Sequence, residues 1–418
     1  MTRTAPGPAA FSGAPDAAAL PRSMRRLLAP AVGRVASAAA RGRPPAVDDA
    51  RHVASLVAAA PPPAVARWME AEGVSALVGA AGIAAPPATV ARWTDTAERV
   101  ARRAERLLDD RRQLAAALAT HGVPWRPLKG AWLADHVYAA AALRPMADTD
   151  VWVEAADLDR ADSALSSLGY RRAFATWKHA VYRRPGERVV DPRGEHPDNP
   201  RPVEVHATWG EGLRGVSLDV AALAAGAGGG PAAWPDGAAM LVHVAAHATV
   251  DALARRLRLL SLVDVAVLAS GLDDGAWRRV AKLAGSPAAA RFVWPALSLA
   301  ADALGADVPH DVAAALERAV RPPLRRWRAG VDVDALGRWA VLDVRRPFVD
   351  IPRIWPLDAR EAATVWRAIL WPPRAALMDR DPALAGSRAW PLAYVRHAGY
   401  VLRTAAGRAR RRWRPPAG

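Results

Sequence analysis

The chain has 418 residues, 52% of them hydrophobic and 23% charged, enough for a large core and two or three domains. It has no run of about 18 uninterrupted apolar residues to span a bilayer, and with no cysteine it cannot use disulfides, thiol catalysis or thiolate metal sites. The formal charge of +16 predicts attraction to polyanions without choosing among phosphates, nucleic acid and an anionic lipid surface.

Any metal must therefore sit on oxygen or imidazole, and a reducing cytoplasm is the expected compartment. Lysine stands only at 129, 178 and 282, so 54 of the 57 basic residues are arginine. With abundant alanine and proline, this points to a GC-rich genome, which by itself raises the charge.

Residues 1–45 are rich in Pro, Ala, Gly and Arg without sustained periodicity, and read as a disordered leader with order beginning near Asp48. Pro6, Pro8 and Pro15 interrupt any apolar stretch that a secretory signal would need. Residues 46–120 read as a helical region broken by prolines. It ends in a long amphipathic helix stopped by Gly122.

From 121 to 223 the period changes. VPWRPLKG reads as a strand that Pro124 and Pro127 require to be short or to lie at an edge. GAWLADHVYAAA reads as a helix, DTDVWV as a strand, and EAADLDRADSALSSLG as a helix closed by Gly169. YRRAFAT, HAVYRR and the alternating RPVEVHATW complete a strand and helix alternation. DPRGEHPDNP, residues 191–200, has the turn chemistry of a mobile hairpin loop able to close over a substrate. AAGAGGGP, residues 224–231, is the clearest linker, and residues 231–418 read as a helical domain with a basic tail. The expected fold class is α+β, a small mixed-sheet core embedded between an N-terminal helical region and a large C-terminal helical domain.

Chemistry concentrates in LRPMADTDVWV, residues 143–153. Strand side chains at i and i+2 share a face, so Asp148 and Asp150 do too. Two such anions about 4 Å apart repel by roughly 4 kcal/mol at an effective dielectric near 20, which invites a divalent cation. The alternative makes Asp148 a turn cap and leaves Asp150 solvated. In RPVEVHATW, Val203 and Val205 face one side while Glu204 and His206 face the other, and an acid in so apolar a strand needs a partner. Three oxygen ligands, Asp148, Asp150 and Glu204, suit Mg2+.

These segments, LKG, LRPMADTDVWV, the Gly169-Tyr170 pair and VEVH, resemble the uncharacterised nucleotidyltransferase family of the DNA polymerase beta-like superfamily. The likeness continues in LVHVAAHA, RLRLLSLVDVAVL and ILWPPRAALMDRDP, and covers roughly residues 105–400. It implies a mixed sheet flanked by helices, Mg2+, and transfer of a nucleoside monophosphate from a nucleoside triphosphate, ATP among the candidates. Some members are encoded beside lasso-peptide biosynthesis genes, so a ribosomal peptide or protein is one acceptor the resemblance suggests. Where the superfamily has glycine-serine after the first strand, this chain has Lys129-Gly130, as its closer relatives do. Lys129 and Gly130 are thus expected at the nucleotide. Arg144 is expected either to meet the triphosphate or to balance the acids. A D-x-D glycosyltransferase using a nucleotide-sugar and a non-catalytic basic protein binding nucleic acid or membrane are the alternatives.

His243 and His247, at i and i+4, read as buried hydrogen-bonded histidines or a metal pair. Arg256 and Asp264 read as a structural ion pair or a helix-packing contact, and the tryptophans, including Trp371, as core. RARRRWRPP, residues 408–416, is either a solvated tail or a dock for an anionic partner.

Overall fold

The structure is a computed structural model that describes residues 20–176, 178–191, 196–213, 215–226, 236–254, 256–336, 358–374, 377 and 387–412. Helices α1 (Arg22–Ala40), α2 (Val47–Ala58), α3 (Pro62–Glu72), α4 (Ser75–Ala80) and α5 (Pro87–Thr120) precede the sheet. The middle of the chain forms β1 (Trp125–Pro127), α6 (Lys129–His136), β2 (Thr149–Val153), α7 (Leu158–Ser167), β3 (Arg171–Ala175), β4 (His179–Arg183), β5 (Val203–His206), β6 (Gly210–Leu213) and β7 (Val216–Asp219). Helices then continue as α8 (Val220–Gly226), α9 (Gly237–Leu253), α10 (Leu259–Ala269), α11 (Asp274–Ala284), α12 (Pro287–Leu304), α13 (His310–Ala319), α14 (Pro322–Ala329), α15 (Val333–Leu336), α16 (Ala359–Leu370) and α17 (Leu392–Arg412). This is an α+β protein. Among the described residues no helix is long and apolar enough to cross a membrane.

The five-stranded sheet has the order β1-β2-β5-β4-β3, with β2 and β5 parallel and the other neighbours antiparallel. The proline-bearing β1 lies at an edge, where a strand can spare a ladder donor. Alternation decides what each face meets. Val151 and Val153 of β2 and Val203 and Val205 of β5 pack with Leu114 and Leu118 of α5 and Leu165 of α7. Asp150, Trp152, Glu204 and His206 take the opposite face. There Trp152 packs against the larger helical core, so the acidic face looks toward the helices.

That larger core draws on both ends of the chain and corrects the expectation that order begins near Asp48. In α1, Leu28, Val32, Val35 and Ala36 are fully buried among residues of α10 and α12. A Cβ at Gly33 would stand 2.8 Å from Leu304 Cγ, so glycine lets α1 approach α12. Composition concealed the helix because Ala and Arg dominate it and Pro30 lies inside it. The linker stretch 224–231 opens within the end of α8, and its remainder, 227–231, lies outside the described residues. So do 192–195 of the loop and 413–416 of the basic run. Trp371 is not core: it is 69% exposed and stacks on Tyr394 at 4.7 Å.

Helix α5 carries two charged residues within its buried stripe. Asp110 takes Arg184 at 2.9 Å and Arg201 at 2.5 Å. Arg103, 1% exposed, spends its guanidinium on main-chain carbonyls: Met146 at 2.7 Å, His196 at 2.8 Å, Asn199 at 3.1 Å, Pro200 at 2.8 Å, and Ala147. It thereby joins the segment before Asp148 to the segment before β5. The Asn199 side chain accepts the backbone N–H groups of Val190 and Asp191 and donates to the Asp191 carbonyl, which draws the two described ends of the 191–200 loop together.

Replacing Arg103 by Met keeps bulk but strands several buried carbonyls, each costing on the order of 1–3 kcal/mol. Denaturant unfolding of Arg103→Met should show a loss of about 3 kcal/mol or more, and Arg103→Lys should recover little of it. An unchanged midpoint in either variant contradicts this role.

Candidate active site

The turn after β1 delivers the first functional group. Leu128 donates its backbone N–H to the Asp150 carbonyl at 3.0 Å, which fixes the start of α6 against β2. Lys129 follows with φ of 45°, the one non-glycine positive φ among the described residues. Such a backbone costs about 1–3 kcal/mol, and it aims the side chain so that Nζ reaches Asp150 Oδ1 at 2.8 Å. Gly130 is needed for closeness: a Cβ there would meet Arg144 Nη1 and Met146 Cγ, both at 3.2 Å.

The parallel register sets Asp150 opposite Glu204 on adjacent strands. Asp148, Asp150 and Glu204 each offer an oxygen, and these atoms lie within 4.8 Å of one another. His206, with no exposed surface, places Nε2 2.8 Å from Asp150 Oδ1 and 4.0 Å from Glu204 Oε2. His179 Nδ1 stands 3.4 Å from Glu204 Oε2, and its ring meets that of His206 edge-on at 4.8 Å. His179, Glu204 and His206 form a second group with donors within 4.8 Å. Glu204 is common to both.

The carboxylates are not equivalent. Burial raises the Asp150 carboxyl, but Lys129 and His206 outweigh it and hold the group well below the usual range. Asp148 has no hydrogen bond or ion pair among the described residues, and its carboxyl is pushed up to about 6 by burial and then by Asp150. Glu204 is pushed well above its ordinary value by burial, Asp148 and Asp150. Burial likewise brings His179 down to about 3, helped by His206 and Lys129, and lowers His206. Both rings are therefore neutral near pH 7. Two carboxylates thus face each other without a cation in contact. An all-oxygen set of this kind fits a hard divalent cation.

Behind this cluster lies a group that sequence reasoning missed. Glu211 of β6 has no exposed surface, yet it contacts Lys178 Nζ and lies 3.1 Å from His247 Nδ1 and 3.7 Å from Lys129 Nζ. Burial disfavours its charge, but Lys178 and His247 hold the carboxyl well below the usual range. The signal for Lys178 was present, since it is one of only three lysines. Glu211, between two glycines in an apolar run, is the same kind of acid as Glu204.

Arg144 pairs with an acid outside the cluster. Its fork holds Asp264 through Nε at 2.8 Å and Nη2 at 2.7 Å, and Tyr138 donates to the same carboxylate at 2.6 Å. Arg256 pairs with Asp251, at 3.1 Å, and the ion-pair partner of Asp264 is Arg144 rather than Arg256. His247 meets Glu211, whereas both nitrogens of the buried His243 lack a hydrogen-bond partner among the described residues. Burial keeps that ring neutral.

A family model described as uncharacterised nucleotidyltransferase matches residues 59–305, more than half of the chain. The chain belongs to this nucleotidyltransferase family. Comparison with curated proteins and with solved structures gives no match. The matched span takes in α3 to α12 and every residue of the acidic and lysine groups just described; ILWPPRAALMDRDP lies beyond it. The nucleotidyltransferase is therefore an enzyme, a transferase acting on a nucleoside triphosphate, and this sets aside the sugar-transfer and non-catalytic alternatives.

The charge cluster has a measurable consequence. A carboxyl raised in the folded state burdens that state once it ionises above about pH 6. The burden fades as pH falls, and it is gone below about pH 4, where the unfolded chain is protonated as well. Without divalent cation, Asp148→Asn should melt above the wild type at about pH 8 and level with it below about pH 4. A variant that melts earlier at every pH identifies Asp148 as a structural cap.

Proposed function

We propose that the protein transfers a nucleoside monophosphate from a nucleoside triphosphate to an acceptor hydroxyl, with Mg2+ held by Asp148, Asp150 and Glu204. The observation that carries this reading is the convergence of three carboxylates within 4.8 Å, two of them without a cation in contact, beside a lysine in a strained turn. When bound, the metal supplies charge neutralisation for the triphosphate and a Lewis acid for the attacking oxygen.

The protein's own groups do the rest. The acceptor oxygen forms its bond to the α-phosphorus, the bond from that phosphorus to the α–β bridging oxygen breaks, and diphosphate leaves with the electron pair. Glu204 Oε2 receives the acceptor proton; the rings of His179, at 3.4 Å, and His206, at 4.0 Å, stand beside that carboxylate. Lys129 binds phosphate oxygens as a compact cation. Arg144 acts from behind by fixing the segment before Asp148 to α10 through Asp264. We place the reaction in the cytoplasm, where nucleoside triphosphates are abundant and a cysteine-free chain meets a reducing environment.

The test is incubation with host lysate and each nucleoside triphosphate carrying label at either the α- or the γ-phosphate. The α-label should move to an acceptor in a Mg2+-dependent manner and the γ-label should not. The acceptor suggested by the resemblance, a ribosomal peptide or protein, predicts label in a protease-sensitive product. Asp148→Asn and Asp150→Asn should each lower transfer by roughly a hundred- to a thousandfold or more, the scale for removing one preorganised charge-stabilising group. Transfer of the γ-label, or wild-type rates in both variants, refutes nucleotidyl transfer at this site.

A further inference from the structure

Two of the three lysines retained in this arginine-rich chain meet on one carboxylate. Lys178 Nζ contacts Glu211 and Lys129 Nζ stands 3.7 Å from it, while Lys282 is exposed on α11. Three buried acids away from the acidic cluster are held by arginine: Asp264 by Arg144, Asp110 by Arg184 and Arg201, and Glu70 by Arg92. A planar guanidinium fork suits a permanent ion pair. A compact ammonium with three rotatable donors suits a ligand that arrives and departs.

The two lysines reach this point from separate elements. Lys129 comes from the strained turn before α6. Lys178 comes from the turn joining β3 to β4, where Thr176 Oγ1 accepts the backbone N–H groups of Lys178 and His179, each at 3.1 Å. Neither side chain is sealed, at 14% and 17% exposed. Glu211, fixed by His247 of α9, has a clear electrostatic task. Two ammonium groups drawn together in a sheltered place would repel each other and tend to lose protons, and a carboxylate between them keeps both charged. Lys129 also bonds Asp150, so the pair of ammonium groups borders the acidic cluster directly.

We propose that Lys129 and Lys178, braced on Glu211, form the subsite that grips the β- and γ-phosphates and stabilises the departing diphosphate, with Lys178 a second phosphate-binding residue. This rests on the nucleotidyl-transfer reading, in which the electron pair of the broken phosphorus–oxygen bond is delivered to diphosphate. Negative charge then builds up where the two ammonium groups stand.

The experiment is calorimetric titration of Mg2+-diphosphate, with no nucleoside, into the full chain. The wild type should bind it. Lys178→Ala should weaken binding roughly ten- to a hundredfold, the scale of one charged hydrogen bond, while its affinity for Mg2+ alone stays unchanged. Because Lys178→Ala takes one cation from a buried acid, Lys178→Gln combined with Glu211→Gln gives a neutral pair of similar shape, and it should lose diphosphate affinity too. Wild-type diphosphate affinity in either variant, or no binding by the wild type, overturns the proposal. The two readings fail separately. Lys178-dependent diphosphate binding without α-label transfer would sink nucleotidyl transfer and leave the subsite standing. Continued transfer with unchanged KM and diphosphate affinity in Lys178→Ala would sink the subsite alone.

Discussion

One oxygen, Oδ1 of Asp150, receives Lys129 Nζ and His206 Nε2 at 2.8 Å each, and the arrangement of the site depends on it. Those contacts let a buried carboxylate stay ionised, since a charge without them would be driven to protonate. They also use up the local positive charge. Asp148 and Glu204 are left close together, with only the neutral rings of His179 and His206 beside Glu204 and no hydrogen bond or ion pair to Asp148 among the described residues. The cluster therefore brings like charges together at a point that a divalent cation would neutralise, as the proposed function requires.

The helices hold this cluster from three directions. Arg103 of α5 ties the approach to Asp148 to the approach to β5 through main-chain carbonyls. Asp264 of α10 holds Arg144 and Tyr138, and His247 of α9 reaches Glu211. Each strut joins an element of the helical core to a segment next to an acid. A small sheet could not keep like charges together by itself, because their repulsion would open the strand ends. The large helical mass supplies the packing that resists it.

Local chemistry was readable from the sequence, and distant partners were not. The i, i+2 spacing of Asp148 and Asp150 and the alternation in RPVEVHATW showed which side chains share a face within each segment, and the parallel pairing of β2 with β5 then sets Glu204 opposite Asp150. The edge placement of β1 followed from its prolines. Glu211 escaped because β6 is four residues long and glycine-flanked, giving no period to read. Arg103 looked like one more arginine on an amphipathic helix; only the loops that close over α5 make it interior. The pairing of Arg144 with Asp264 spans 120 residues, and no local pattern selects it over Arg256 with Asp264. Helix α1 was hidden by its composition, since alanine, arginine and proline read as a leader until α10 and α12 supply the surface it covers.

The central claim is that the carboxylate cluster and the nucleotide share one divalent cation. Mn2+, which takes the same oxygen ligands as Mg2+, makes this visible by electron paramagnetic resonance with a nucleotide that resists cleavage between the α- and β-phosphates. The account predicts phosphorus hyperfine coupling to protein-bound Mn2+ in the wild type, with the bound signal lost in Asp150→Asn. Mn2+ held equally by Asp150→Asn, or held by the wild type with no phosphorus coupling when the nucleotide is saturating, would contradict it.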